Sequence, residues 1–434
     1  MAEIHPFRAW RYNLNKVQSL ENVIAPPYDV IDSSLSDQLH QKSPFNVIRL
    51  ILDPIKPTDD EKNNRYTRSA RTLKDWQSAG VVQQEERPSI YVYYQTFDWE
   101  GKSYTRRGFM SRVRLEKFGQ GKIYPHEQTL SGPKADRLKL FHATGMNLSQ
   151  IFGLFPDEKN DVASRLDKVI AGKKPLEAID HLGVKHQIWV IDDNKVVAEL
   201  QGILNDKPVF IADGHHRYET SIRHLEERQA EGKVAGPDAP ENFTLMMLVG
   251  MSDPGLQVMP THRLVNGVGN LTQSEFAEKL APYFDVELVG EGEAAGVETW
   301  KKILASGKQE ALGFCTVADG KWTFATLREK NAMKEANPDK SDTYRSLGVS
   351  ILHRLVLEKA LAPAEAQCKY VHLTREVFDA VGARECQLGC LVQPATVEHI
   401  RQLSGTFETM PAKSTYFYPK LASGIVFNPI HSGG

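Results

Sequence analysis

Apolar and polar positions alternate most clearly in "SIYVYYQTFDWEGKSYTRRGFMSRVRL". Aromatic and β-branched residues stand on both sides of a Glu-Gly pair, which predicts a β-hairpin. Helical spacing takes over elsewhere. Ala70, Leu73 and Trp76 place a helix within residues 61–80. "SSLSDQLHQK" reads as a short capped helix, and "ASRLDKVIAG" and "NKVVAELQGILN" as two more. "NVIRLIL" and "KHQIWVID" read as strands. "FTLMMLVGM" is apolar without a break and predicts a buried strand, with "LQVMPTHRLV" as its neighbour.

From about residue 270 helix and strand patterns alternate, through "TQSEFAEKLAPYF", "DVELVG", "AAGVETWKKILASG", "ALGFCTVADGKWTFATLR" and "GVSILHRLVLEKAL". "GEGEAAG" and "KNAMKEANPDKSD" read as exposed connections. No repeat of 20 to 50 residues interrupts this texture. The expectation is an α+β fold, divided into an N-terminal domain over 1–265 and a C-terminal α/β region over 266–434.

Composition narrows the class. At 434 residues, with 41% hydrophobic and 25% charged, the chain can bury a sizeable core without disulfides. A net charge of −2 argues against a broad grip on nucleic acid or on an anionic membrane. No apolar run approaches the ~18 residues of a membrane span. "MAEIHPFRAWRYN" carries charge where a signal peptide is apolar, so a cytoplasmic protein is expected. The four cysteines lack metal-site spacing and read as buried thiols.

The chemistry concentrates at "IADGHHRYETS". A strand over 207–212 and a helix over 215–231 leave Asp213 and Gly214 as the turn, with Asp213 suited to cap the helix. Gly214 permits a backbone conformation and a close approach that a side chain would block. His215, His216 and Arg217 then fall in the first helical turn, beside free N–H groups and the positive end of the helix dipole. Cations there disfavour the helix unless an anion binds, and phosphate is the natural one. Tyr218, Ile222 and Leu225 form a core stripe. Glu219, four residues from His215, can orient that imidazole or act as a base.

Other segments share this texture. "YPHEQTLSGPKADR" holds His126, Glu127, Lys134, Asp136 and Arg137. "PTHR" holds His262 and Arg263, and "APPYDV" holds Tyr28 and Asp29. "MPAKSTYFYPK" holds Lys413, Ser414, Thr415 and Lys420; its alternation from Ser414 to Tyr418 suits a strand that returns to the site. Each alone reads more readily as solvated surface than as a site. Together they supply the parts of phosphoryl transfer. P-loop, Rossmann and zincin motifs are absent from the sequence.

"APPYDVI", "YPHEQTLSGPKADRLKL", "IADGHHRYET", "MSDPGLQVMPTHRLV" and "KSTYFYPKLASG" together resemble the domain of unknown function 1015 family over nearly the whole chain. More distantly, "DGHHRYETS" is similar to the box of the ParB and sulfiredoxin superfamily, which includes ParB-like free-serine kinases. In that superfamily the box binds nucleotide phosphates at a helix start. The resemblance implies a ParB/sulfiredoxin-like core, with ATP or ADP as ligand, CTP as an alternative, and Mg2+. His215 stands where sulfiredoxin has its reactive cysteine, which speaks against sulfinic-acid repair. No helix-turn-helix module is evident, which speaks against DNA segregation.

The expected protein is a nucleotide-dependent phosphotransferase acting on a small hydroxyl metabolite, serine being one. A phosphatase and a nucleotide-binding regulator without turnover are the alternatives, and a homodimer is compatible with each. Gly214, His215, His216 and Arg217 would hold phosphates. Asp213 or Glu219 would orient them or bind Mg2+, and Glu127 or Asp29 would serve as base. Lys134, Arg137, His126, His262, Arg263, Lys413, Ser414, Thr415 and Lys420 would line the nucleotide site.

Overall fold

A computed structural model describes residues 3–99, 101–127, 131–362 and 366–431. The fold is mixed α and β, with several sheets. The chain divides into two compact units. One comprises 1–125, 129–257 and 419–434; the other comprises 126–128 and 258–418. Where a single cut after residue 265 was expected, the chain passes between the units several times.

The first unit is built on a nine-stranded sheet. Its order runs Ile123–Tyr124, Val209–Asp213, Ile151–Phe155, Phe243–Gly250, Lys102–Arg114, Ile90–Trp99, Lys185–Ile191, Leu176–Ile179, and Ile4–His5 also pairs with Lys102–Arg114. The expected hairpin is there, Tyr91 opposite Met110 and Trp99 opposite Lys102. Val92, Phe109, Phe155 and Leu248 lie in the core with Val162, Leu166, Val196 and Leu200 of the helices Asp161–Ile170 and Asn194–Leu204. Each such side chain stabilises the unit by roughly 1.5–3 kcal/mol relative to exposure. Tyr218 joins this core, with Ile222 and Leu225 packed against it, as the helical spacing predicts.

The second unit carries a six-stranded sheet in the order Phe284–Glu291, Lys321–Leu327, Ala311–Thr316, Leu388–Leu391, His262–Asn266, Gln367–Val371. All four cysteines are free thiols in this unit, and three are buried.

Three expectations fail for identifiable reasons. "NVIRLIL" is not a strand: Ile48–Ile51 is a helical turn started by Asn46, whose Oδ1 accepts the Ile48 N–H at 3.0 Å. An apolar run this short has no readable period, and the local side-chain bond decides. "LQVMPTHRLV" is not the neighbour of Phe243–Gly250, which pairs with Lys102–Arg114 and Ile151–Phe155. Pro260 has no N–H to continue a ladder, and His262–Asn266 joins the other sheet. The supposed connections are partly helical. Gly292 opens the helix Gly292–Ser306, which buries Ala295 and Gly296, and Lys330–Ala336 buries Ala332 and Met333.

Candidate functional site

The strand Val209–Asp213 pairs with Ile151–Phe155, but its register slips between Ile211 and Asp213. The slip is a bulge, and it re-aims the strand's last side chain. Gly214 follows at φ +90° and is the N-cap of the helix His215–Ala230. The cap position is thus Gly214, which has no side chain, where Asp213 was expected. The bulge directs Asp213 to other partners instead. Its Oδ2 accepts from Arg217 at 2.8 Å and its Oδ1 from Lys420 at 2.9 Å. The Arg217 guanidinium lies against Gly214, where a Cβ would come within 2.9–3.0 Å of it. Gly214→Ala should therefore cost about 1–3 kcal/mol from the positive φ, before any cost of moving Arg217. Urea denaturation measures it, and a variant as stable as the parent would refute the strain.

Asp213 is the electrostatic centre of this junction. Burial pushes its carboxyl up, but Lys420 and Arg217 outweigh burial and hold it well below the usual carboxylate range. Lys420 comes from a segment 207 residues further along the chain. Its backbone is gripped from the sheet. Gln95 donates to the Lys420 carbonyl at 3.0 Å, Arg106 to the Pro419 carbonyl at 2.5 Å, and Gln150 to the Ala422 carbonyl at 3.0 Å. The Tyr93 hydroxyl accepts the Ala422 N–H at 3.4 Å. That hydroxyl sits 2.7 Å from His186 Nδ1, and His186 Nε2 sits 3.1 Å from Asp180. Gln150 also accepts Arg217 on its own carbonyl, so one residue holds Arg217 and the backbone of the segment that carries Lys420.

Arg106 is fully buried, with its guanidinium over the Phe152 ring at 4.7 Å. Burial lowers its pKa to about 10, so it remains a cation at neutral pH. Beside this centre Arg137 stacks on Tyr28 at 4.1 Å and donates to the Ile51 carbonyl. Asp136 binds Arg137, Arg65 and the Tyr66 hydroxyl. Burial raises the pKa of Tyr28, and its hydroxyl lies within the electrostatic reach of Asp29, Arg137 and Arg217 together. Arg65, Arg106, Arg137, Arg217 and Lys420 thus stand with the paired carboxylates of Asp136 and Asp213, while Asp253 acts on Arg106 and Asp29 on Tyr28. Glu219 pairs with Lys134 at 2.7 Å, where orientation of His215 was one expected role for it. His215 is buried, His216 is half-buried and Asp29 is exposed.

The other expected residues lie in the second unit and are described within it. Glu127 Oε1 accepts the N–H groups of Ser414 and Thr415, each at 3.2 Å, and the Thr415 hydroxyl at 3.0 Å. His126 Nε2 sits 2.7 Å from the same hydroxyl. Ser414 donates to the Pro411 carbonyl. The strand expected from Ser414 covers only Tyr416–Tyr418, because Lys413 turns through φ +57°. Arg263 is fully buried and donates to the carbonyls of Thr261 and Lys413 and to His353. His262, expected in the nucleotide site, is fully buried in the strand His262–Asn266. Its Nδ1 accepts the Val392 N–H at 3.2 Å, its ring stands edge-on to Trp300, and burial pushes its pKa down to about 3.

Sequence reasoning missed Gln95, Arg106, Gln150 and the Tyr93–His186–Asp180 chain. One signal was present: Arg106 falls in phase with Gly108 and Met110, on the buried side of its strand. A cation in an inward phase is costly unless it has work there.

Among the described residues no group of three or more His, Cys, Asp or Glu could hold a metal ion. Asp213 and Asp136 are each committed to cations, so the junction does not fit a resident Mg2+. No described helix is long and apolar enough to cross a membrane.

Comparisons with known proteins add one firm result. The profile of a family described as "Protein of unknown function (DUF1015)" matches residues 4–350. No curated protein matches the chain. Among solved structures, a conserved hypothetical protein from Pyrococcus furiosus is similar at 13% identity and TM-score 0.33, over 69% of this chain and 89% of that one. A free serine kinase variant in complex with AMP is similar at 13% identity and TM-score 0.35, over 68% and 84%. SbnI with a C-terminal truncation, from Staphylococcus aureus, is similar at 10% identity and TM-score 0.34, over 74% and 87%. Likenesses at this level carry no argument about activity.

Proposed function

The chain belongs to the family described as protein of unknown function (DUF1015), and from there we propose that it is a nucleotide-dependent phosphotransferase acting on a small hydroxyl metabolite. One observation carries the reading: two cations, Arg217 and Lys420, share the single carboxylate of Asp213 at a helix start opened by a glycine. A helix start with surplus positive charge forms a site for a polyanion. A nucleotide's phosphates supply that charge, held by the N–H groups of His215, His216 and Arg217 and by the side chain of Lys420. Asp213 keeps Lys420 and Arg217 in place between turnovers.

Transfer needs a base for the acceptor hydroxyl. Asp213 is held ionised by two cations, which makes it a weak proton acceptor. Glu219 is paired with Lys134, and Glu127 with Ser414 and Thr415. Asp29 is exposed, and among the described residues it forms no ion pair, so we assign the base to it. Its carboxylate would take the hydroxyl proton as the new O–P bond forms. The bond to the leaving phosphate then breaks against Lys420 and Arg217. A Mg2+ ion entering with the nucleotide would take most of its ligands from phosphate and water; no step here depends on it.

Titration with ATP, ADP, CTP and inorganic phosphate, read as a shift in melting temperature, tests the site. At least one should stabilise the protein. Lys420→Met, which keeps the stem and leaves Arg217 on Asp213, should weaken that ligand by about tenfold, ~1.4 kcal/mol. Asp29→Asn should keep nucleotide binding and lose turnover. If no phosphate compound binds, or Lys420→Met binds as tightly as the parent, the assignment is wrong.

A further inference from the structure

Arg112 lies in the strand Lys102–Arg114, with its guanidinium 5.2 Å from the centre of the Phe243 ring and 5.9 Å from that of Phe7. Its neighbour Arg114 takes Glu3 on two nitrogens. Arg112 takes no carboxylate among the described residues. Its Nε is buried without a partner among the described residues, and its Nη2 donates to the Pro6 carbonyl at 3.4 Å. Burial disfavours its charge, with only the distant Tyr91 phenol as a compensating group. A guanidinium nevertheless stays protonated at neutral pH. The result is a half-buried cation whose charge no carboxylate among the described residues balances, an arrangement that is costly to keep without a purpose.

Arg112 lines a pocket of about 240 Å³ together with Phe7, Arg8, Pro240, Pro429 and His431. Arg8 is likewise without a carboxylate among the described residues; its Nε donates to the Glu85 carbonyl at 2.7 Å. The walls therefore combine two unbalanced guanidinium groups with an aromatic ring and proline faces. The volume falls just below the ~300–1,000 Å³ of sites for drug-sized ligands. All of these residues belong to the first unit, and none takes part in the junction at Asp213.

We propose that this pocket is a second ligand site, which binds a small organic anion: a carboxylate or phosphate group on Arg112 and Arg8, with a short apolar body against Phe7 and the prolines. Guanidinium groups suit both acids because each presents paired N–H donors to paired oxygens. The site also touches the C-terminal segment. Pro429 lines the pocket and pairs with Met146, and the same segment carries Lys420. Occupation of the pocket thus steadies the segment that supplies a cation to Asp213.

The test uses the full chain, with butyrate, succinate and inorganic phosphate as separate probes of melting temperature. The parent and Lys420→Met should both be stabilised by butyrate or succinate, or by phosphate if the phosphate form is the ligand. Arg112→Met, which keeps the stem between the two rings, should bind that probe at least about tenfold more weakly, and Arg8→Met should weaken it as well. Nucleotide titration of Arg112→Met should match the parent, which separates this site from the phosphotransferase reading. Three outcomes would overturn the proposal: no probe shifts the parent, Arg112→Met responds like the parent, or the response depends on Lys420 and not on Arg112.

Discussion

Replacing Arg217 with methionine is expected to destabilise the first unit by about 3–5 kcal/mol, the usual cost of breaking a buried pair from one side. The Arg217 side chain is 8% exposed. It donates to Asp213 and to the Gln150 carbonyl and covers Gly214. Without it the carbonyl loses a charged donor, and Asp213 keeps Lys420 alone. The double variant Arg217→Met, Asp213→Asn should lose still more, because it leaves the Lys420 ammonium, 14% exposed, without its carboxylate. Urea denaturation of the parent, both single variants and the double variant measures the coupling. A single-variant cost under about 1 kcal/mol, the value of an exposed pair, would show that the pairing adds little. The consequence for function is practical: Arg217 variants lose ligand binding and stability together, so Lys420 and Asp29 are the positions at which the chemistry can be read cleanly.

Acid should unlatch the C-terminal segment. His224 Nε2 and His431 Nε2 sit 3.0 Å apart with their rings stacked. One ring must donate and the other accept, so at least one is neutral, and burial disfavours charge on either. Burial, then His431 and His142, push His224 down to about 4, and Arg228 adds to this while Glu227 opposes it. Burial and Arg228, with smaller contributions from His142 and Lys233, lower His431 against the pull of Glu241. These folded-state values lie below the ordinary 6.5, so the unfolded chain binds the protons first. The stabilisation is complete above pH 6.5, falls as pH drops towards 4, and is gone below it. For His224 alone the shift from 6.5 to about 4 corresponds to ~3 kcal/mol. Urea denaturation between pH 4 and 7 should show that loss, and His224→Phe should flatten it. The Ile430 N–H, bonded to the Gly145 carbonyl, should exchange faster over the same window. An equal slope in the variant would place the acid sensitivity elsewhere.

Much of the fold was legible because it is local. The 90–114 hairpin follows from alternation around a two-residue turn, and the helix Arg65–Ser78 from Leu73 and Trp76 one turn apart. The start of the helix at His215 was readable for the same reason: a glycine that must turn through φ +90°, followed at helical spacing by Tyr218 and Ile222. A concentration of cations at that start is likewise a property of adjacent positions, visible without a fold.

What those cations meet is not local. Asp213 reads as a helix cap until the bulge before it redirects its carboxylate, and strand register depends on the partner strand. Lys420 could be grouped with the junction by its chemistry, but its contact across 207 residues exists only because Gln95, Arg106 and Gln150 grip the backbone around it. His262 and Arg263 share the polar texture of His215 and Arg217. Burial within the second unit makes His262 a neutral core residue, while the sheet of the first unit leaves Arg217 on Asp213. Periodicity and turn chemistry act over a few residues, so the sequence alone determined the elements and the charge at one helix start. Desolvation and ion pairing depend on which groups the folded chain brings within a few ångströms, so only the tertiary structure decided which charges are balanced there and which, at Arg112, are not.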